Sequence, residues 1–248
     1  MRFKKLNLFV AVFLALATSF TVNLLTATPA AADTCYTWSR TLSQGSSGGD
    51  VTQLQIRVAG WVSSGENLAL DGAFGPATAS AVRRFQSGYG LAVDGIAGPQ
   101  TFNKIYELQD ADCTPIHFSH AEMNYSCGEQ DYTGGAVSAT AAKENAKRVM
   151  WQLEAERKKL GSSAMVITSG FRSYSCNSSV GGSSTSRHLY GTAADLGTAS
   201  GPSLCQMALA GRTAGFDEIL GPGYPGHSDH AHLANKSSRF WSASSCGL

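Results

Sequence analysis

Apolar residues recur at three-to-four spacing in three stretches of the first half of the chain, which predicts three short helices. Val51, Leu54 and Val58, with Gln55 on the same face, follow Asp50 as a candidate N-cap. Ala81, Val82 and Phe85 with Gln86 mark the second helix, and Phe102, Ile105 and Leu108 the third. The second half opens with a longer helical pattern. It starts at Ser138, runs through Ala146, Val149, Met150 and Leu153 to Leu160, and stops at Gly161. Residues 164–169 have strand character, residues 204–209 are helical, and residues 216–220 and 230–233 are short strand candidates. The Ser- and Gly-rich residues 171–187 read as an exposed loop. Helices around a few strands, with no βαβ rhythm, predict an α+β fold. The expected architecture is a small N-terminal three-helix domain followed by an α+β domain, with mixed helices around a small antiparallel sheet.

Turn chemistry sharpens the first half. Asp71-Gly72-Ala73-Phe74-Gly75-Pro76-Ala77-Thr78 is echoed 23 residues later by Asp94-Gly95-Ile96-Ala97-Gly98-Pro99-Gln100-Thr101. Each copy is an Asp-Gly turn followed by Gly-Pro at a helix start, where proline suits the first helical position. Residues 110–115 read as a linker, so the expected division is residues 1–32, 33–112 and 113–248.

The first of these segments is a leader. Arg2, Lys4 and Lys5 precede an apolar run from Leu6 to Leu25, and Ala30-Ala31-Ala32 supplies small residues before a cut. Polar breaks at Thr18, Ser19, Thr21 and Asn23 favour a cleaved signal peptide over a membrane anchor. Cleavage takes the formal net charge from +1 to −2, which excludes nucleic acid and anionic membrane as main partners. The expectation is an exported, extracellular protein that is a monomer. Six cysteines, all after the leader, suit an exported chain with three disulfides among 15 possible connectivities. Cys35 and Cys113 bracket the first domain, so one arrangement joins them, with Cys127–Cys176 and Cys205–Cys246 as the others.

Candidate chemistry lies in the second domain. Four of the six histidines fall in two clusters, Ser186-Arg187-His188-Leu189-Tyr190-Gly191-Thr192-Ala193-Ala194-Asp195 and His227-Ser228-Asp229-His230-Ala231-His232. Histidine and carboxylate suit a borderline metal such as zinc, and three protein ligands with one open position make a catalytic site. An isolated His-x-His pair is commonly a surface or core feature, but two clusters, each with an aspartate, favour a metal. On a strand, His230 and His232 face one side and both become candidate ligands. Ser186 either orients substrate or caps a turn. His117 and His120 have no carboxylate cluster beside them and read as structural or surface residues. Tyr190 and Trp241 are candidates for a pocket lining or for the core.

Two resemblances add to this reading. Residues 42–109 resemble the peptidoglycan-binding module of many cell-wall hydrolases, through Gly49-Asp50-Val51, Leu54-Gln55, both Asp-Gly…Gly-Pro-x-Thr copies and Phe85-Gln86. Ser186-x-His188-x-x-Gly191-x-Ala193-x-Asp195 with the downstream Asp229-His230-x-His232 resembles the zinc D-alanyl-D-alanine peptidases of the M15 family, relatives of the VanX-type dipeptidases. The order of the two domains resembles the actinomycete zinc D-Ala-D-Ala carboxypeptidases. The resemblance implies one zinc ion per chain held by His188, Asp195 and His232. It implies Asp229 as general base, His230 and His227 as further catalytic residues, and Arg172 as the active-site arginine that binds anionic groups. The implied partner is peptidoglycan and its stem peptides, and the implied reaction is hydrolysis of the terminal D-Ala–D-Ala bond. Cleavage of cross-links between stem peptides is the alternative reaction, and a non-catalytic wall-binding protein with structural zinc is the alternative class.

Overall fold

A computed structural model describes residues 35–124, 127–128, 131–198 and 201–248 of the protein. The expected leader therefore lies outside the described residues. The three short helices of the first half are α1 (Gly49–Val58), α2 (Pro76–Gly88) and α3 (Pro99–Glu107). Pro76 and Pro99 each open their helix, where the missing N–H costs nothing.

The internal echo is a repeat of structure as well as of sequence. The side-chain amide of Gln55 donates to the Asp71 carboxylate (2.8 Å), the Ala73 carbonyl (3.1 Å) and Thr78 Oγ1 (3.2 Å), while its oxygen accepts from the Gly72 N–H (2.9 Å). Gln86 makes the same four contacts with Asp94, Ile96, Thr101 and Gly95, at 2.8, 3.0, 3.1 and 2.9 Å. Each buried glutamine thus closes one Asp-Gly turn onto the helix start that follows it. Gly72 and Gly95 have φ of 70° and 77°, a left-handed backbone that glycine adopts without strain.

Residues 110–115, expected as a linker, form a tight turn instead. Asp110 N–H donates to the Thr114 carbonyl (2.8 Å) and Ile116 N–H to the Leu108 carbonyl (2.9 Å). The Cys35–Cys113 disulfide ties this turn to the start of the described chain. The described residues then form one compact unit.

Two apolar clusters fill that unit, and one helix serves both. After the single turn α4 (His120–Met123), α5 (Ala139–Lys159) starts at Ser138, whose hydroxyl accepts from the Ala141 N–H. Ala142, Ala146, Val149, Met150 and Leu153 of α5 belong to the core of the second half. Trp151 and Ala155 belong to the core of the helical module. Gly60 lets the module approach closely, because a Cβ there would lie 2.5 Å from the Ala155 Cβ and 2.9 Å from the Gln152 Cα. Trp151, 1% exposed, sends its indole N–H to the Cys113 carbonyl at 3.1 Å.

The described strands form a five-stranded sheet in the order β1 (Val166–Ser169), β2 (Ala193–Gly197), β4 (Ala231–Ala234), β3 (Glu218–Leu220), β5 (Phe240–Ser242). Neighbours are antiparallel except β3 and β5, which run parallel, so the expected antiparallel sheet carries one parallel edge. Within the segment read as a loop, residues 174–179 form a short helix, α6 (Tyr174–Ser179), which Ser173 caps through its hydroxyl. The expected helix near residue 204 is α7 (Leu204–Gly211), opened by a Ser203–Gln206 capping box. The remaining disulfides join Cys127 to Cys176 of α6 and Cys205 of α7 to Cys246.

Trp151 is carried by the shared helix α5 and buried in the module core, so Trp151→Ala removes packing where the two halves are joined. Its expected cost is about 3–5 kcal/mol, as for large-to-small core changes. Urea unfolding followed by tryptophan fluorescence and far-UV circular dichroism should show one coincident transition in both proteins, shifted to lower urea in the variant. Two separated transitions in the parent would contradict the shared core.

Candidate metal centre

The sheet sets the site. Asp195 of β2 stands directly opposite His232 of β4, and side chains of such a pair share a face at close range. His188 arrives from outside the sheet, on a tight 3-10 turn spanning Arg187–Tyr190. Gly191 ends that turn with φ 69°, and a Cβ there would meet the Ala142 carbonyl of α5 at 2.4 Å. Only glycine fits both demands, so the Gly of the His-x-x-Gly motif is a backbone requirement. The loop after β1 closes the far side: the His188 carbonyl accepts from the Arg172 N–H at 3.1 Å.

Three donor atoms converge here. His188 Nε2 lies 3.2 Å from Asp195 Oδ1 and 3.2 Å from His232 Nδ1, and His232 Nδ1 lies 2.8 Å from Asp195 Oδ1. All three residues are buried, with exposures of 2–5%. Tetrahedral zinc with bonds of about 2.0–2.1 Å separates its ligands by roughly 3.3 Å, so this triangle fits one such ion with little movement. Among the described residues it is the group of histidine, cysteine and carboxylate side chains close enough to hold a metal.

The outer nitrogen of each ligand imidazole faces an acceptor outside the triangle. His188 Nδ1 donates to the Gly170 carbonyl. His232 Nε2 faces Glu218 Oε1 at 3.4 Å, and Glu218 in turn pairs with Lys236. His227 Nδ1 donates to the Pro225 carbonyl (2.9 Å), and His230 Nδ1 to Asp229 Oδ1 (2.9 Å). The rings of His227 and His230 lie 4.7 Å apart, and His227 stands 5.9 Å from His232. His230 Nε2 approaches Asp195 Oδ1 to 3.8 Å.

Charge follows from these contacts. Burial opposes an ionised Asp195, yet the charges and hydrogen bonds of His188 and His232 hold its carboxyl well below the usual carboxylate range. Its second oxygen, Oδ2, accepts from Arg172 Nη2 at 2.6 Å, and Arg172 Nε is held by Ser169 Oγ at 2.9 Å. Burial pushes His188 down. Burial also opposes charge on His232, but its bonds to Asp195 and Glu218 raise it to about 9. The contact with His232 is the main cause that lowers Glu218 to about 2, against its partial burial. A site that draws a proton onto His232 at neutral pH is one that favours a cation between its donors.

The structure thus brings His188, Asp195, His232, His230, His227 and Arg172 to one place. Asp229 is 85% exposed and reaches the site through His230. His230 immediately precedes β4 and, like His232, turns toward Asp195, but at 3.8 Å it stands beside the triangle rather than in it. Ser186 precedes the His188 turn without capping it through its side chain. His117 pairs with Glu154 and His120 with Tyr132, at 3.0 and 2.9 Å. Tyr190 lies beneath Arg187, and Trp241 packs on the core with its N–H on the Phe216 carbonyl. Sequence reasoning missed Glu218, whose only signal is its register on β3.

Comparison with known proteins agrees with both halves. Residues 116–234 match the peptidase M15 family, and residues 47–105 match a putative peptidoglycan-binding domain. A zinc D-Ala-D-Ala carboxypeptidase from Streptomyces albus G is 57% identical over 218 residues, 88% of this chain and 84% of that protein. Among solved structures, a peptidoglycan-binding protein from Clostridioides difficile, in complex with glutamine hydroxamate, is 39% identical with a TM-score of 0.24. It covers 26% of this chain and 39% of its own. A fused zinc-dependent amidase/peptidase with a peptidoglycan-binding domain, from Clostridium acetobutylicum, is 34% identical over 31% of this chain and 34% of its own, with a TM-score of 0.25.

Metal uptake should release a proton. His232 sits at about 9, above its ordinary value, so it is protonated at pH 7.5 and must become neutral to ligate. In chelated protein its contribution to stability is complete below about pH 6.5 and fades as pH rises through about 9. Zinc titration calorimetry at pH 7.5, in buffers of different ionisation enthalpy, should give between about one and two protons released per ion, one from His232 and the remainder from water on the metal. No proton exchange would contradict ligation by His232.

Proposed function

We propose a function from one premise: the chain belongs to the M15 peptidase family. It is a zinc-dependent D-alanyl-D-alanine carboxypeptidase that removes the terminal D-alanine of peptidoglycan stem peptides, and its helical module binds peptidoglycan. The observation that carries the catalytic assignment is the buried donor triangle with a third, partly exposed imidazole, His230, at its edge.

His188 Nε2, Asp195 Oδ1 and His232 Nδ1 are the atoms that would hold the ion, with the fourth position left to solvent. Zinc held there would polarise the scissile carbonyl and lower the pKa of a bound water to about 7. Asp229 and His230 act as one hydrogen-bonded unit. Because Nδ1 of His230 is committed to Asp229, Nε2 is the atom that takes a proton and returns it to the leaving amine. His227, fixed in the same way by the Pro225 carbonyl, presents its Nε2 beside that path. Arg172 neutralises the buried Asp195, and its planar guanidinium suits the oxyanion or the terminal carboxylate of the substrate. Ser186, next to the His188 turn, is the hydroxyl available to orient the peptide. Residues 1–32 direct export, and the enzyme acts outside the cell as a monomer. Among the described residues no helix is long and apolar enough to cross a membrane. Anchoring by the module raises the local concentration of stem peptides at the site.

Free D-alanine should be released from a wall pentapeptide, abolished by a chelator and restored by zinc. His230→Ala should lower kcat by about 10²–10⁴-fold, as for loss of a general acid–base, with zinc content unchanged. Asp229→Asn should cost less than His230→Ala. The reverse order would make Asp229 the proton acceptor. Split cross-linked dimers in digested wall, without shortened stems, would mean endopeptidase action, and zinc binding with no hydrolysis would mean a structural site.

A further inference from the structure

We infer that Glu218 is a positioning residue of the metal site, which holds the outer nitrogen of His232 and so fixes Nδ1 as the ligand atom. The inference rests on the zinc site proposed above. Its first support is register. Leu220 pairs with His232 and Glu218 with Ala234 on neighbouring antiparallel strands, so Glu218 is a diagonal neighbour on the face that carries His232. Its Oε1 reaches His232 Nε2 at 3.4 Å, the distance of an ion pair that is long for a hydrogen bond.

The second support is the chemistry of the ring. A neutral imidazole has one N–H and one lone pair, and the partner of one nitrogen decides the role of the other. A carboxylate accepts only, so Glu218 selects the tautomer with its proton on Nε2 and its lone pair on Nδ1, toward Asp195 and His188. His188 is pinned in the opposite sense, with Nδ1 on the Gly170 carbonyl and Nε2 inward. The two histidine ligands therefore use different nitrogens, each chosen by its outer acceptor.

The third support is that Glu218 is itself braced. Its other oxygen, Oε2, pairs with the Lys236 ammonium, and its side chain is 13% exposed. A carboxylate this little exposed is accounted for by the two groups that it contacts, the His232 imidazole and the Lys236 ammonium. It cannot take the place of Asp195, because the His232 ring stands between it and the triangle.

The test measures zinc affinity by competition with a chromophoric chelator on the full mature chain, for wild type, Glu218→Ala, Glu218→Gln and Lys236→Met. Glu218→Ala should bind zinc 10–100-fold more weakly, the usual effect of removing an outer-shell partner. Glu218→Gln, whose amide oxygen still accepts from Nε2, should recover part of that loss, and Lys236→Met should lose less than Glu218→Ala. Long-range ¹H–¹⁵N spectra of zinc-loaded wild type should show His232 protonated at Nε2, a signature that a merely structural role for Glu218 would not require. If Glu218→Ala is folded by circular dichroism and binds zinc within twofold of wild type, the inference is overturned. If Glu218→Ala does not fold, Glu218→Gln spectra showing an unprotonated Nε2 in the zinc-loaded protein overturn it equally. Failure of wild type to bind zinc would instead overturn the metal site itself.

Discussion

Three electron-pair donors are packed into a space too small and too dry to hold them without a positive charge between them. His188, Asp195 and His232 meet at 2.8–3.2 Å with almost no exposure to water. Buried polar atoms at such distances must share protons or a cation, or they repel. The peptidase half is arranged around that demand. Antiparallel pairing of β2 with β4 places two of the donors, a glycine-ended turn delivers the third, and Arg172 and Glu218 brace Asp195 and His232 from outside. The same arrangement leaves His230 at the rim, where a proton can be exchanged.

The helical module is joined to this half by packing rather than by a tether. α5 carries Trp151 and Ala155 into the module core and Val149, Met150 and Leu153 into the other. Gly60 allows the close crossing, and Gln152 ties α5 to the carbonyls of Ala214 and Gly215 at 3.1 and 3.0 Å. Wall binding and catalysis therefore belong to one compact body, so an enzyme held on its polymer also holds its active site there.

The sequence made some of this legible and hid the rest, for identifiable reasons. The three module helices and α5 show strong period-3.6 patterns, with clear start signals for α2, α3 and α5, whereas Asp50, the expected cap of α1, lies inside a helix capped by Gly48. The 23-residue echo marks two turns that prove to share one hydrogen-bond scheme. β2 left no such trace. Ala193, Ala194, Asp195 and Leu196 are buried on both faces, so they do not alternate, and the segment is visible only as part of a ligand motif. β5 is a three-residue edge strand, too short to read. α6 hides in a Ser-rich run because Ser173 caps it while the composition suggests a loop. The motif names the residues proposed as ligands, but not which nitrogen each would use. Whether His232 uses Nδ1 or Nε2 depends on Glu218, which lies 14 residues away and becomes its neighbour only through strand register.

The most direct test is a crystal structure of the zinc-soaked protein, with anomalous data collected on both sides of the zinc absorption edge. One peak per chain is predicted inside the triangle, about 2 Å from His188 Nε2, Asp195 Oδ1 and His232 Nδ1, with a non-protein atom as fourth ligand. A peak outside the triangle, or four protein ligands with no position open to solvent, would contradict a catalytic zinc held by these three side chains.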